Sequence, residues 1–154
     1  MSEKVQSGRI YYTSLYRHGV DEKRRVQIPA KWRPADGTCE FTLIVWQKGP
    51  YGPCLRALPA EQMDRLLKTI DAMPNEDPRK TVLKRVIGSH SEQVVVDRAG
   101  RICLPESMAR EAGIDQEVLL VGLLDRFEIW SPARYAAVEA ADKVLLADAM
   151  KLLE

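Results

Sequence analysis

Two short segments of this chain carry an acid and a base at the same spacing. Asp21 is followed four residues on by Arg25, and Asp97 by Arg101. The segments lie 76 positions apart, and the match extends on both sides of each pair. Val20, Asp21, Arg25 and Pro29 recur as Val96, Asp97, Arg101 and Pro105, and the apolar Val26 and Ile28 recur in kind as Ile102 and Leu104. An aspartate that opens a tight turn accepts backbone N–H bonds from the residues after it. Gly100 suits the left-handed position that closes such a turn. The arginine that follows offers a planar fork matching guanine O6 and N7, or two phosphate oxygens. It can equally pair with its own aspartate, so Arg25 and Arg101 carry two readings, surface ion pair or nucleic-acid contact.

Lys23, Arg24 and Arg98 stand in the same turns, and Arg17 lies just before the first. Each is balanced between DNA contact and plain solubility. The first turn has Arg24 where the second has Gly100. A non-glycine residue in the left-handed region costs about 1–2 kcal/mol. Either this turn adopts another geometry, or Arg24 tolerates the strain and adds a cation beside Lys23 and Arg25. Arg79, Lys80, Lys84 and Arg85 read as the wet face of a helix.

Other chemistry finds little support. The chain has no GxGxxG, no Gly-rich Lys-Ser/Thr loop, no HExxH and no GxSxG. Its three cysteines form no CxxC, and with two histidines they lack metal-ligand spacing. Cys103, between Ile102 and Leu104, reads as a small packed residue. No catalytic residue, metal, cofactor or small-molecule substrate is expected. Trp32, Trp46, Trp130, Tyr11, Tyr12 and Tyr16 fall within strand and short-helix patterns, which favours core or interface packing over base stacking.

The elements that hold the two turns repeat as well. Each copy reads as strand, turn, strand, a short helical patch (30–33 and 106–112), two strands and a helix. The first of these later strands spans 41–46 and 118–121, the second 54–58 and 127–130. Strands 91–96 and 101–104 flank the second turn. Pro29 and Pro105 stop the strands before the helical patches, and Gly113 ends the second patch. Helices are expected over 60–73, with Met63, Leu66, Leu67, Ile70 and Met73 on one stripe, and over 79–88 after the break at 74–78. A last helix over 133–153 carries Val138, Ala141, Leu145, Ala149 and Leu152, a stripe longer than a small core requires. Part of it reads as an intersubunit surface. The 154 residues divide into repeats 9–75 and 78–154.

Charge alternates with the repeats. Net charge is +1, but residues 1–33, 34–78, 79–101 and 102–154 carry +5, −3, +4 and −5. A near-neutral chain thus concentrates positive charge around both turns. No apolar run is long enough to cross a bilayer, and the first residues carry no apolar leader segment. A reducing cytoplasm is the expected compartment.

The run Arg85-Val86-Ile87-Gly88-Ser89-His90-Ser91-Glu92, followed by Asp97-Arg98-Ala99-Gly100-Arg101, resembles the second half of MraZ proteins. Val118 to Gly122 and Phe127-Glu128-Ile129-Trp130 fit the same family in order and spacing, and the likeness covers about residues 9–140. The family usually has glycine where Arg24 stands. The resemblance implies an α+β, β-rich fold of the AbrB/SpoVT kind. That fold is a pseudo-twofold swapped-hairpin β-barrel built from two internal repeats, with covering helices and a C-terminal helix. It implies a nucleoid-associated, DNA-binding transcriptional regulator, a repressor, at a bacterial division and cell-wall gene cluster. Such a protein reads short direct repeats in double-stranded DNA as a homo-oligomeric ring. By the same resemblance Arg25 and Arg101 lie on the DNA-facing surface, and with two matched copies that reading outweighs the ion pair. The rival is an oligomeric scaffold or antitoxin-like partner binder that engages protein through its acidic C-terminal half.

Overall fold

The computed structural model describes residues 9–35, 38–47 and 49–154. The reading of the leader segment falls largely on residues 1–8, outside them. The described chain runs β1 (Leu15–Gly19), β2 (Arg25–Gln27), a 3-10 turn (Ala30–Trp32), β3 (Glu40–Trp46), β4 (Cys54–Leu58), α1 (Ala60–Asp71) and α2 (Pro78–Ser89). It continues through β5 (Ser91–Val95), β6 (Arg101–Cys103), α3 (Glu106–Glu111), β7 (Glu117–Gly122), β8 (Phe127–Trp130) and α4 (Pro132–Lys151).

Six strands form one antiparallel sheet in the order β1-β7-β8-β4-β3-β5, and β2 pairs only with β6. No closed barrel forms among the described strands: the large sheet is open, with β1 and β5 at its edges, and β2–β6 is a separate ribbon. The cause lies at the turns. β1 and β2 flank a hairpin-like turn, yet they diverge beyond it, as do β5 and β6. Leu15 pairs with Val121 and Gly19 with Glu117, while Glu40 pairs with Val95 and Ile44 with Ser91. Only β3–β4 and β7–β8 are local pairs; every other pairing joins a strand before Pro78 to one after it.

Alternation on these strands builds the core between ribbon and sheet. Val26 and Ile102 face inward from the ribbon with Ile28 and Leu104 behind them, all essentially without exposure. They meet Leu43, Leu55, Ala57, Leu120, Phe127 and Ile129 from the sheet. Trp32 sits at the centre, its ring 4.8 Å from Phe127, 5.8 Å from Tyr12 and 5.4 Å from Tyr16. Its indole N–H donates to the Thr13 carbonyl at 3.0 Å, so this large side chain is buried with its polar atom satisfied. Burial with few polar neighbours pushes the Tyr12 hydroxyl up to about 12, the nearby Cys39 adding to it. The packing expected of the aromatic residues thus holds for Trp32, Tyr12 and Trp130, whereas Tyr11 is exposed.

The other face of the sheet is covered by two helices. α1 packs on β3 and β4, and α4 on β7. Under α4, Cys54, Leu119 and Trp130 meet Tyr135 and Val138. Beside them Arg56 stacks its guanidinium 4.3 Å from the Trp46 ring and donates to Glu128 at 2.9 Å, while Glu128 also accepts from the Trp130 indole at 2.8 Å. α2 buries no residue, and its Val82 and Val86 are exposed. Beyond Ala141 every residue to the end of the sequence is exposed, Leu145 and Leu152 of the expected stripe among them.

Two glycines sit in opposite circumstances. A Cβ on Gly122 would collide with the Tyr12 carbonyl, whereas one on Gly88, in α2, would meet nothing within 4 Å. Gly122→Ala is expected to lower unfolding free energy by about 1–3 kcal/mol through overpacking. Gly88→Ala should raise it by up to about 1 kcal/mol. Urea titrations of the two variants against the parent chain check both signs.

Candidate nucleic-acid interface

Each turn is built around one carboxylate. Asp21 Oδ1 accepts the backbone N–H of Lys23 at 2.9 Å and of Arg25 at 2.8 Å, and Oδ2 accepts Arg25 Nε at 2.7 Å. Asp97 does the same: Oδ1 takes the N–H of Ala99 and Arg101, both at 2.9 Å, and Oδ2 takes Arg101 Nε at 3.2 Å. Chain reversal is closed by Arg24 N donating to Asp21 O at 2.9 Å and Gly100 N to Asp97 O, also at 2.9 Å. The ion pair and the exposed arginine are therefore not alternatives. Nε is committed to the aspartate, while the two Nη groups make no hydrogen bond among the described residues and remain at the surface.

The ribbon fixes where those forks point. Because Val26 and Ile102 face the core, Arg25, Gln27, Arg101 and Cys103 face outward together. Arg25 lies opposite Cys103 and Gln27 opposite Arg101. Arg25 and Arg101 are diagonal neighbours, about 7–8 Å apart at their Cα atoms, each next to its own turn at opposite ends of the ribbon. Cys103 is exposed, not packed as its neighbours suggested. Ile102 takes the single inward position of this three-residue strand, and the Cys103 thiol donates to the Lys23 carbonyl at 3.3 Å. Gln27 occupies the matching place, its amide donating to the carbonyls of Ala99 at 3.0 Å and Gly100 at 3.2 Å. Both residues brace the far turn. Nothing in the acid–base spacing signalled them; the 76-residue alignment of positions 27 and 103 was the available hint.

Arg24 keeps the left-handed geometry, with φ 61° against 84° at Gly100, so the first turn does not change shape. Its side chain folds back and Nε donates to the Leu104 carbonyl at 3.0 Å. Lys23 and Arg98 are exposed at the two turn tips. Arg17 stands apart. It lies on β1 opposite Leu119, on the sheet face that α4 covers, and donates to Glu117 at 3.0 Å. Among the described residues no three His, Cys, Asp or Glu side chains gather as a metal site requires. No described helix is long and apolar enough to cross a membrane.

An antiparallel ribbon that lifts two braced arginines off a six-stranded antiparallel sheet defines a small α+β protein with a surface suited to anions. A family model described as "MraZ protein, putative antitoxin-like" matches residues 87–150. The chain is 31% identical over 134 residues to the transcriptional regulator MraZ of Acidithiobacillus ferrooxidans, covering 83% of this chain and 87% of that protein. It is 30% identical over 126 residues to the regulator of the same name from Roseiflexus sp., covering 82% and 85%. The counterpart in Rhodospirillum rubrum is 30% identical over 128 residues, covering 82% and 83%. This chain belongs to the MraZ family.

The carboxylates carry a pH signature. Both are held below the usual aspartate range, Asp21 chiefly by the Arg25 backbone N–H and then by its side chain and the Lys23 N–H. For Asp97 the Arg101 backbone N–H dominates, followed by the Arg101 charge and the Ala99 N–H. A depressed folded value stabilises the fold above the unfolded value, about 3.9, and the gain is lost as pH falls through the lower folded value. Melting temperature followed from pH 7 to pH 2 should therefore drop more steeply below about pH 4 for the parent than for Asp21→Asn/Asp97→Asn. Parallel curves would show that the two carboxylates do not carry that stability.

Proposed function

We propose that this chain is a sequence-specific DNA-binding transcriptional regulator, a repressor that reads DNA with the outward face of the β2–β6 ribbon. One observation carries this: two aspartates hold two arginines by Nε in the same way, leaving both pairs of Nη groups presented on one rigid surface. A fork fixed in this way freezes few rotamers when it meets a base or a phosphate. The major groove, about 12 Å wide, admits a two-stranded ribbon. The diagonal spacing of the two arginines, about 7–8 Å, is close to two of the 3.4 Å steps of a DNA strand. Lys23 and Arg98 at the tips are placed for phosphate contact, with Arg24 adding charge behind the first. Arg17, already paired on the other face, contributes least.

The cross-pairing of β1 with β7, β5 with β3 and β2 with β6 supports reading residues 9–75 and 78–154 as two repeats that exchange their hairpins, in the AbrB manner. The names of the relatives support the regulatory role. Their family supports a cytoplasmic, nucleoid-associated protein acting at a division and cell-wall gene cluster. The uncovered apolar end of α4 supports a homo-oligomer, a ring that sets several ribbons along short direct repeats and so raises their effective local concentration.

Fluorescence anisotropy tests the reading on DNA from just upstream of this protein's own gene, with scrambled DNA as control and a salt series. Tight, selective binding that weakens steeply with salt and is abolished in Arg25→Ala/Arg101→Ala is the expected result. Arg101→Ala alone should cost about 1–3 kcal/mol of discrimination where the arginine reads a base. A uniform loss on all sequences would assign it to phosphate. Binding to neither DNA, with a protein partner retained through the acidic C-terminal half, would replace the regulator by the scaffold.

A further inference from the structure

The two turns differ at their left-handed residue, and a second difference elsewhere compensates. At the second turn the space beside Gly100 is already taken: a Cβ there would lie 2.6 Å from Arg33 Nη1, 2.7 Å from Arg33 Cζ and 2.6 Å from Gln27 Nε2. The Arg33 guanidinium occupies the start of the volume that a side chain at position 100 would need. At the first turn the side chain of Arg24 itself fills the corresponding place, anchored on Leu104 O at 3.0 Å. The residue 76 positions after Arg33 is Ala109, and Ala109 lines the same surface depression as Arg24. The pair Arg24 and Ala109 at one turn thus answers to Gly100 and Arg33 at the other. Each turn has one guanidinium beside its left-handed residue, supplied by the turn in one case and by the residue after the 3-10 turn in the other.

We infer that Arg33 is a phosphate-contacting residue of the second turn, supplying the cation that Gly100 cannot. This rests on the DNA-binding reading above and extends it to a residue outside both acid–base motifs. Arg33 is half-buried, with its Nε enclosed and without an acceptor among the described residues. A guanidinium held in that way beside Gly100 of the second turn is suited to an anion arriving from outside. It stands beside the turn rather than on the outward row of Arg25, Gln27, Arg101 and Cys103, which favours backbone phosphate over a base edge. Opposite charge at the DNA would then be met in matching places at the two ends of the ribbon.

The test combines a salt series with an exchange of the two residues. Arg33→Gln should lower the slope of log affinity against log salt by about 0.9 for each phosphate it no longer neutralises. The weakening should be equal on upstream and scrambled DNA, and Arg33→Lys should retain the slope. Gly100→Arg alone should lower the melting temperature, because two guanidinium groups compete for one space. Gly100→Arg/Arg33→Ala rebuilds the arrangement of the first turn and should recover both melting temperature and salt slope. An Arg33→Gln slope equal to that of a parent chain that binds DNA would overturn the phosphate contact and leave the proposed function standing. A parent chain that binds no DNA would overturn that function and the phosphate contact together. In that case the melting temperatures still read the shared space, and additive effects of the two substitutions would overturn it.

Discussion

Everything in this molecule depends on backbone pairing between its two ends. β2 and β6 are three residues each, too short for either to hold a place in a sheet of its own, and among the described strands each pairs only with the other. The edge strands obey the same constraint, since β1 is held by β7 and β5 by β3. Hydrogen bonds that cross the chain in this way link the order of one turn to that of the other. Gln27 on β2 donates to the second turn, while Cys103 on β6 donates to the first. The ribbon is therefore a shared element, and its core-facing Val26 and Ile102 lock it onto the sheet without using any outward position.

That division of labour explains how a chain of net charge +1 can present a cationic surface. Val26 and Ile102 serve packing, the aspartates serve the turns, and the arginines are left with their Nη groups uncommitted. The carboxylates do two things at once. They satisfy backbone N–H groups that the reversal would otherwise leave open, and they hold each guanidinium in one orientation. Partial neutralisation of each arginine is the cost of that orientation. The remaining charge is concentrated where a planar fork is geometrically useful, and diffuse excess charge over the rest of the surface is unnecessary.

Much of this was legible in the residues, because turns have strong local chemistry. Asp at the opening position, Gly100 at the left-handed position and Pro29 and Pro105 as strand stops place the turns to the residue. Strand β4 and strand β8 fall where expected, and β3, β5, β6 and β7 lie within a residue of their expected bounds. What could not be read locally was the fate of the strands beyond each turn. A hairpin signal specifies chain reversal and says nothing about whether its two arms stay together. Here they part, and in place of the barrel that the family resemblance implies the described strands form an open sheet with a separate ribbon. Cys103 was misplaced for a related reason, since on a three-residue strand the one inward residue, Ile102, decides the side taken by its neighbours. Arg33 lay outside any motif, and only the space beside Gly100 reveals why an arginine belongs there.

The C-terminal helix poses the last structural question, because its two halves behave differently. Twenty residues of helix extend about 30 Å, and only the first part rests on the sheet, through Tyr135 and Val138. Val144, Leu145, Leu146, Met150, Leu152 and Leu153 are all exposed, and Val144, Leu152 and Leu153 by more than four-fifths. So many large apolar side chains exposed at one end of a helix are costly to leave in water. The fold does not need them, since the ribbon and sheet already close the core over Trp32 and Phe127. Their value fits the weakness of a single ribbon, which offers only two forks to a partner. On the proposed reading, assembly through the helix ends would multiply those forks without adding a basic residue to any chain.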